Sequence, residues 1–440
     1  MQTTAFLMRE PEFLTKLEDS GLSDRPPGGD SVVLVHVDFP FGQMQEDLGE
    51  LHELARSAGA KIAAVVTAKK QTPEAKYFVG SGKAEEIRDV VASCHAKLVI
   101  FNHVLSPAQE RNLGNLLQCR VLDRVGLILD IFAQRARSFE GQLQVELAQL
   151  KYLSTRLVRG WTHLERQRGG IGLRGPGETQ LEVDRRLIRD RMKVIGQRLT
   201  KIRKQREQSR RARRKAIIPT VALVGYTNAG KSTLFNRLTG ATVYTANQLF
   251  ATLDPTLRRI ACPQIGPVIL ADTVGFIRHL PPSLIEAFQA TLEEVREADL
   301  ILHVVDAHDE NKLFNIEQVN AVLKHLQADL VPQLVVYNKI DLCPELSAHT
   351  DLNADGAVKR IFISATQALG LDELIKVIGD ALNCGMVERS IVLTPKEGAL
   401  RAKLYQRGVV VAEQIDEQGN SHLTVRMPLH EAEKLQEGNE

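Results

Sequence analysis

Residues 225–232, Gly225-Tyr226-Thr227-Asn228-Ala229-Gly230-Lys231-Ser232, limit what this chain can fold into more than any other stretch. They match a glycine, four variable positions and Gly-Lys-Ser/Thr, the pattern of a phosphate-binding loop. The apolar run Val221-Ala222-Leu223-Val224 precedes them and Thr233-Leu234-Phe235-Asn236-Arg237-Leu238 follows, so the loop is expected between a buried strand and a helix. There the glycines let backbone N–H groups approach a triphosphate, and the helix N-terminus faces its negative charge. Lys231 is placed to reach the outer phosphates and Ser232 to ligate Mg2+, with Thr233 beside them. The pattern alone arises by chance in about one or two chains per hundred of this length, so its weight depends on what accompanies it.

Three further motifs follow in order. Asp272-Thr273-Val274-Gly275 comes after the apolar run Val268–Ala271, Asn338-Lys339-Ile340-Asp341 after Leu334-Val335-Val336, and Ser364-Ala365-Thr366 after the strand-like Ile361-Phe362-Ile363. Each stands at the end of an expected strand, where open α/β sheets bind ligands. Asp272 is placed to hold Mg2+ through water and the Gly275 N–H to meet the γ-phosphate. Asp341 can accept hydrogen bonds from guanine N1–H and N2–H2, while the stems of Asn338 and Lys339 brace base and loop. Adenine lacks those donors and would leave the carboxylate unpaired, so the site should reject ATP. The set implies a GTPase; a P-loop kinase or ATPase has no use for Asn338–Asp341.

The 440 residues, 43% hydrophobic and 25% charged, allow two to four domains with adequate cores. Cys94, Cys119, Cys262, Cys343 and Cys384 are scattered without a Cys-x-x-Cys pair, so they read as reduced thiols rather than a disulfide framework or zinc site. The N-terminus lacks a signal pattern and no apolar run is long enough to span a bilayer, which points to a cytoplasmic protein. It is expected to act as a monomer. The net charge of +2 hides an asymmetry: residues 185–215 carry fifteen Lys/Arg against two acids, +13 locally, leaving −11 for the rest.

The expected fold is α/β: a P-loop GTPase domain preceded by a small α/β domain with a basic helical hairpin and followed by a small α+β domain. Residues 1–30, with Pro26-Pro27-Gly28-Gly29, read as a flexible leader. Val32–Val35, Ile62–Val66, Leu98–Phe101 and Val121-Leu122 read as buried strands alternating with helical stretches such as Met44–Ala58 and Ala84–Cys94, a domain over 31–135. Within it Gly80-Ser81-Gly82-Lys83 reads better as a turn into a helix beginning near Lys83 than as a second phosphate site. The GTPase domain covers 216–384. Residues 385–440 form the appendage, with a helix over Lys396–Tyr405 and strands at Val409–Val411 and Leu423–Val425.

Residues 136–215 are expected to form an antiparallel helical hairpin. Leu143, Leu147, Leu150 and Leu157 on one stretch, and Ile188, Met192, Ile195, Leu199 and Ile202 on the other, advance mostly in steps of three and four. The connector carries Arg166 and Arg168, then five glycines within Gly169–Gly177 around Arg174, a form suited to probing a crowded polyanionic surface. With Arg185 and Arg186, and Arg210, Arg211, Arg213, Arg214 and Lys215 at the far end, these cations form the expected RNA-binding set. The charge is nearly all of one sign and needs an anionic partner; with few aromatics nearby, contact with backbone phosphates is expected rather than base stacking, and structured RNA fits best. An anionic membrane is the alternative, through peripheral association, although a bulky apolar face is lacking.

In this order of parts, and above all in the Gly169–Gly177 loop with Glu178-Thr179-Gln180-Leu181-Glu182 and in Phe250-Ala251-Thr252-Leu253-Asp254, the chain resembles the HflX family of bacterial translational GTPases. The resemblance implies binding to the large ribosomal subunit and its rRNA, with the loop directed towards the peptidyl transferase region. It also implies GTP-dependent splitting or rescue of stalled 70S ribosomes under stress. An ATP-related, RNA-remodelling activity is attributed to the family's N-terminal part, for which only the Gly80–Lys83 turn speaks here. By the same resemblance Thr252 is the switch residue that closes over Mg2+ and the γ-phosphate; from the residues alone Thr256 competes. Lys231, Thr252 and Gly275 form the expected catalytic set. Many GTPases carry a glutamine after Asp-x-x-Gly to orient water, but this chain has Phe276, so another group must place it. Asn228 is read either as a brace for the loop or as a carbonyl ligand for K+ beside the phosphates.

Overall fold

A computed structural model of the protein describes residues 31–39, 46–156, 180–215, 218–240, 249–250, 252–263, 265–278, 289–353, 358–383, 386–406, 409–416 and 418–428. The leader, Ala251 and the loop with Arg166, Arg168 and Arg174 lie outside these residues. The chain divides into two compact units, residues 1–134 with 151–185 and residues 135–150 with 186–440.

The first unit holds a four-stranded parallel sheet in the order β2-β1-β3-β4. Its strands are β1 (Ser31–Asp38), β2 (Lys61–Lys69), β3 (Leu98–Phe101) and β4 (Arg120–Leu122), with helices α1 (Leu48–Ser57), α2 (Ser81–Cys94), α3 (Pro107–Leu117) and α4 (Arg124–Arg135). Helix α1 starts four residues later than the apolar pattern suggests because the Asp47 side chain accepts from Gly49 N at 2.6 Å and Glu50 N at 3.3 Å, fixing an N-cap. Strand β2 is not uniformly buried as expected. It alternates between exposed and covered positions because it is an edge strand. The Gly80–Lys83 turn does enter a helix, with Gly80 as N-cap, and Lys83 pairs with Glu86 at 2.7 Å.

Two long helices follow, α5 (Phe139–Arg156) and α6 (Gln180–Lys215). The second spans about 54 Å at 1.5 Å per residue. Leu143, Leu150, Ile188 and Ile195 are buried. Glu140 pairs with Arg206 at 2.7 Å and Glu146 with Arg191 at 2.6 Å, early with late and late with early, the order of an antiparallel pair. Arg185, Arg186, Arg210, Arg211, Arg213, Arg214 and Lys215 all fall within α6.

In the second unit a seven-stranded sheet runs β10-β11-β9-β8-β5-β7-β6. Its strands are β5 (Thr220–Val224), β6 (Thr256–Cys262), β7 (Gly266–Asp272), β8 (Leu300–Asp306), β9 (Gln333–Asn338), β10 (His349–Leu352) and β11 (Val358–Phe362). Helices α7 (Lys231–Thr239), α8 (Gln289–Arg296), α9 (Lys312–His325) and α10 (Leu371–Asn383) join them. Only the outer strands β6 and β10 are antiparallel to their neighbours. Val221, Leu223, Leu270, Leu302, Val304 and Val336 form the core at 0% exposure, which the continuous apolar runs of doubly covered strands require.

The C-terminal sheet is ordered β12-β14-β13, with β12 (Met386–Leu393), β13 (Val410–Ile415) and β14 (Ser421–Pro428) beside helix α11 (Gly398–Gln406). Strand β12 is absent from the sequence reading. Glu388-Arg389-Ser390 breaks its apolar run, and its pairing with β14 over eight residues is a tertiary fact.

Candidate functional site

Every motif picked out downstream of residue 224 reaches the carboxyl edge of the seven-stranded sheet. The phosphate-binding loop joins β5 to α7, Asp272 and Asn338 end β7 and β9, and Ser364–Thr366 follows β11. Gly225 has φ +149°, and a Cβ there would collide with the Val304 carbonyl of the neighbouring strand, so only glycine lets the loop leave the sheet at this point. The loop, the switch segment and the base-end motifs enclose a cavity of about 390 Å3 lined by Thr227, Lys231, Ser232, Thr252, Asn338 and Asp341 among others.

At its phosphate end Lys231 is 6% exposed and donates to Gly225 O at 3.0 Å and Tyr226 O at 2.8 Å. Burial lowers the Lys231 ammonium to about 8, against the pull of Asp272. Three oxygens converge beside it: Ser232 Oγ lies 2.8 Å from Asp272 Oδ2 and 2.7 Å from Thr252 Oγ1, which is 3.0 Å from the same carboxylate oxygen. Asp272 is fully buried, which pushes its carboxyl above the usual range, and its Oδ1 has no hydrogen-bond partner. Two hydroxyls and an under-satisfied carboxylate suit a hard divalent cation, so these residues fit Mg2+. Thr256 instead opens β6 opposite Asp272, and it is the Thr252 hydroxyl that meets Ser232 and Asp272.

At the base end Asp341 accepts from Ser364 Oγ at 2.5 Å, leaving further acceptor capacity on a carboxylate that lines the cavity. Asn338 donates to Ala229 O at 3.0 Å and accepts from Ala365 N at 3.0 Å, tying the phosphate loop to the base loop. Lys339 pairs with Asp306 at 2.7 Å. Gly230, Thr233, Phe250, Thr273, Gly275, Ala365 and Thr366 line the cavity, as does exposed Asn228, whose φ is +61°. Ala229, Leu253, Val274 and Ile340 are packing residues, and Tyr226 meets Arg278 N through its hydroxyl at 2.9 Å. Asp254 does not line the cavity; its carboxylate points elsewhere.

Sequence reasoning passed over Arg237. From α7 it donates to Ala365 O at 3.1 Å and Thr366 O at 2.8 Å, bracing the base loop across 128 residues of chain. An arginine on a helix after the phosphate loop carries no local signal of such a task. Phe276 is 1% exposed; its N–H donates to Gly225 O at 3.1 Å and its carbonyl accepts from Thr227 N at 2.7 Å, so backbone pairing holds it while the ring is buried. No helix among the described residues is long and apolar enough to cross a membrane, and none of their His, Cys, Asp and Glu side chains cluster in threes as a metal site.

His303 on β8 is 1% exposed, and burial, then Lys231, lowers it to about 4 from 6.5. The unfolded chain therefore binds the extra proton between those values, and stability is lost as pH falls from 6.5 towards 4, by about 3 kcal/mol for this one group. Denaturant midpoints at pH 7 and pH 4.5 should show a larger acid penalty in the parent than in His303→Leu.

A phosphate loop on a mostly parallel sheet, a buried carboxylate ringed by two hydroxyls and a carboxylate at the base end together define a P-loop GTPase. Four family profiles tile the chain: "GTP-binding GTPase N-terminal" over residues 45–133, "GTP-binding GTPase Middle Region" over 135–213, "50S ribosome-binding GTPase" over 220–339 and "HflX C-terminal domain" over 351–438. GTPase HflX of Escherichia coli K12 is 54% identical across 94% of this chain and 97% of its own length. GTPase HflX of Caldanaerobacter subterraneus is 48% identical across 86% of each. Among solved structures, a GTP-binding protein from Sulfolobus solfataricus in complex with GDP aligns with 80% of this chain and 99% of its own at a TM-score of 0.43 and 23% identity. The chain belongs to the HflX family of GTPases and is a GTP hydrolase.

Proposed function

We propose that this GTPase binds the large ribosomal subunit and dissociates or rescues stalled 70S ribosomes, with the nucleotide gating binding and release. Asp341 reads the guanine, Lys231 and the Gly275 N–H meet the outer phosphates, and Ser232 with Thr252 holds Mg2+, Asp272 acting through water. The cation, when bound, neutralises charge developing on the phosphates. Helix α6 carries the RNA part of the reading. Arg186, Arg189, Lys193, Lys201, Arg203 and Lys204 are exposed along it, a run of cations suited to phosphates. The family profile named for 50S ribosome binding supports the same partner.

Phe276 offers no hydrogen bond to an attacking water, so turnover should be slow alone and rise with large subunits. GTP hydrolysis and sedimentation with 70S ribosomes, large subunits, small subunits or no RNA, across a salt series, test this. Large-subunit stimulation with subunits released from 70S particles is the expected result. Tight RNA binding without stimulated hydrolysis would favour a nucleotide-gated RNA-binding protein. Asn228, exposed at the cavity wall, is proposed to hold K+ beside the phosphates; hydrolysis should then be faster in K+ than in Na+, and Asn228→Ala should remove the difference. Equal rates in the parent would discard the K+ role.

A further inference from the structure

The segment Thr252–Asp254 is held at both ends. At one end Thr252 Oγ1 meets Ser232 and Asp272. At the other, Asp254 turns away from the cavity and grips the start of α5. Its Oδ2 accepts from Arg137 N at 2.9 Å and Ser138 N at 2.8 Å, and Ser138 Oγ donates to its Oδ1. The same hydroxyl accepts from Gly141 N at 2.9 Å, so a single side chain caps the helix and holds the carboxylate. A Cβ on Gly141 would collide with Asp254 Oδ1, so the carboxylate reaches its seat only because residue 141 has no side chain. Leu253 between the two anchors is 2% exposed.

We propose that Asp254, Ser138 and Gly141 form a clasp that positions Thr252 for GTP hydrolysis and couples nucleotide state to the start of α5. These are positioning residues, since none lines the cavity. Two residue steps span at most about 7 Å, so Thr252 stays within that reach of Asp254 while the clasp is closed. The first turn of α5 is in turn fixed to α6 by the pair of buried Glu140 with half-buried Arg206 at 2.7 Å. A displacement of Thr252 beyond that reach either breaks the clasp or moves the beginning of the helix pair. For binding the coupling is reciprocal: if GTP favours the closed clasp, the closed clasp favours GTP by the same free energy. Because the mechanism works through Thr252, it rests on the switch assignment made under the proposed function.

The test uses the full chain, its Ser138→Ala and Asp254→Asn variants, and Thr252→Ala. Fluorescent-GDP affinity, single-turnover hydrolysis over a Mg2+ series, and hydrogen exchange of the peptide spanning 137–142 with GDP and with a non-hydrolysable GTP analogue are measured. Both clasp variants should keep GDP affinity within about threefold, because the phosphate and base loops are untouched. Their hydrolysis should fall about tenfold and recover partly at high Mg2+, the mark of a displaced ligand. In the parent, residues 137–142 should exchange more slowly with the analogue than with GDP, and both variants should abolish that difference. Equal exchange in the two nucleotide states of the parent overturns the clasp, and this comparison needs no variant to fold. Parental hydrolysis in both clasp variants, with loss in Thr252→Ala, overturns it too. Parental hydrolysis in Thr252→Ala instead overturns the switch assignment beneath it.

Discussion

Asp341→Asn is expected to exchange guanine for xanthine preference while leaving the fold intact. The wild-type carboxylate keeps its fold contact with Ser364 Oγ at 2.5 Å, and the asparagine carbonyl can accept that bond equally well. Towards the base, the substitution turns one acceptor into an N–H2 donor. Guanine then presents donors to a donor, whereas xanthine presents a carbonyl at that edge. Sites that satisfy a buried polar group with one ligand discriminate against its analogue by about 10^4–10^5, so GDP affinity should fall by about that range. Competition titrations with GDP, XDP and ADP read it directly. Retained GDP affinity within about tenfold would show that the base is read elsewhere, most simply by the Ala365 loop that Arg237 braces.

Lys231→Ala should separate GTP from GDP. The Lys231 ammonium is buried at the cavity wall, held by the carbonyls of Gly225 and Tyr226 and already weakened by desolvation, so its charge is poorly screened there. Removing one preorganised donor to developing phosphate charge typically costs about 10^2–10^3 in rate. GTP hydrolysis is expected to drop by that factor with GDP binding affected less, because the lysine serves the outer phosphates. Circular dichroism should be unchanged, since only a side chain facing the cavity is shortened. Equal losses for the two nucleotides would mean that Lys231 holds the loop together rather than the γ-phosphate.

Much of the site is legible in order along the chain because nucleotide contacts are local: a loop at a strand end needs only its own glycines, lysine and hydroxyl. The same locality explains the misses. Asn338 appears in sequence as a brace for the base, yet its amide also closes on Ala229, 109 residues away. Arg237 and Ser138 carry no motif at all, and their partners lie 128 and 116 residues distant. Strand β12 escapes periodicity because its central residues are charged, whereas its partner strand supplies the pattern that keeps it extended. Strand β2 is misjudged in the opposite sense: Ile62–Val66 is apolar enough for the interior but sits at the sheet edge.

Residue order alone determined that this chain is a guanine-nucleotide hydrolase of α/β class with a strongly basic helix, because strand-end motifs, apolar periodicity and charge density are all local properties. Tertiary structure decided which threonine joins Ser232 and Asp272, where the Phe276 backbone is pinned, and that Asp254 belongs to the start of α5 rather than to the nucleotide pocket. Those choices depend on which distant backbone donors and carboxylates are brought to hydrogen-bond distance once the sheet has assembled, and burial then makes each such pairing costly to leave unmade.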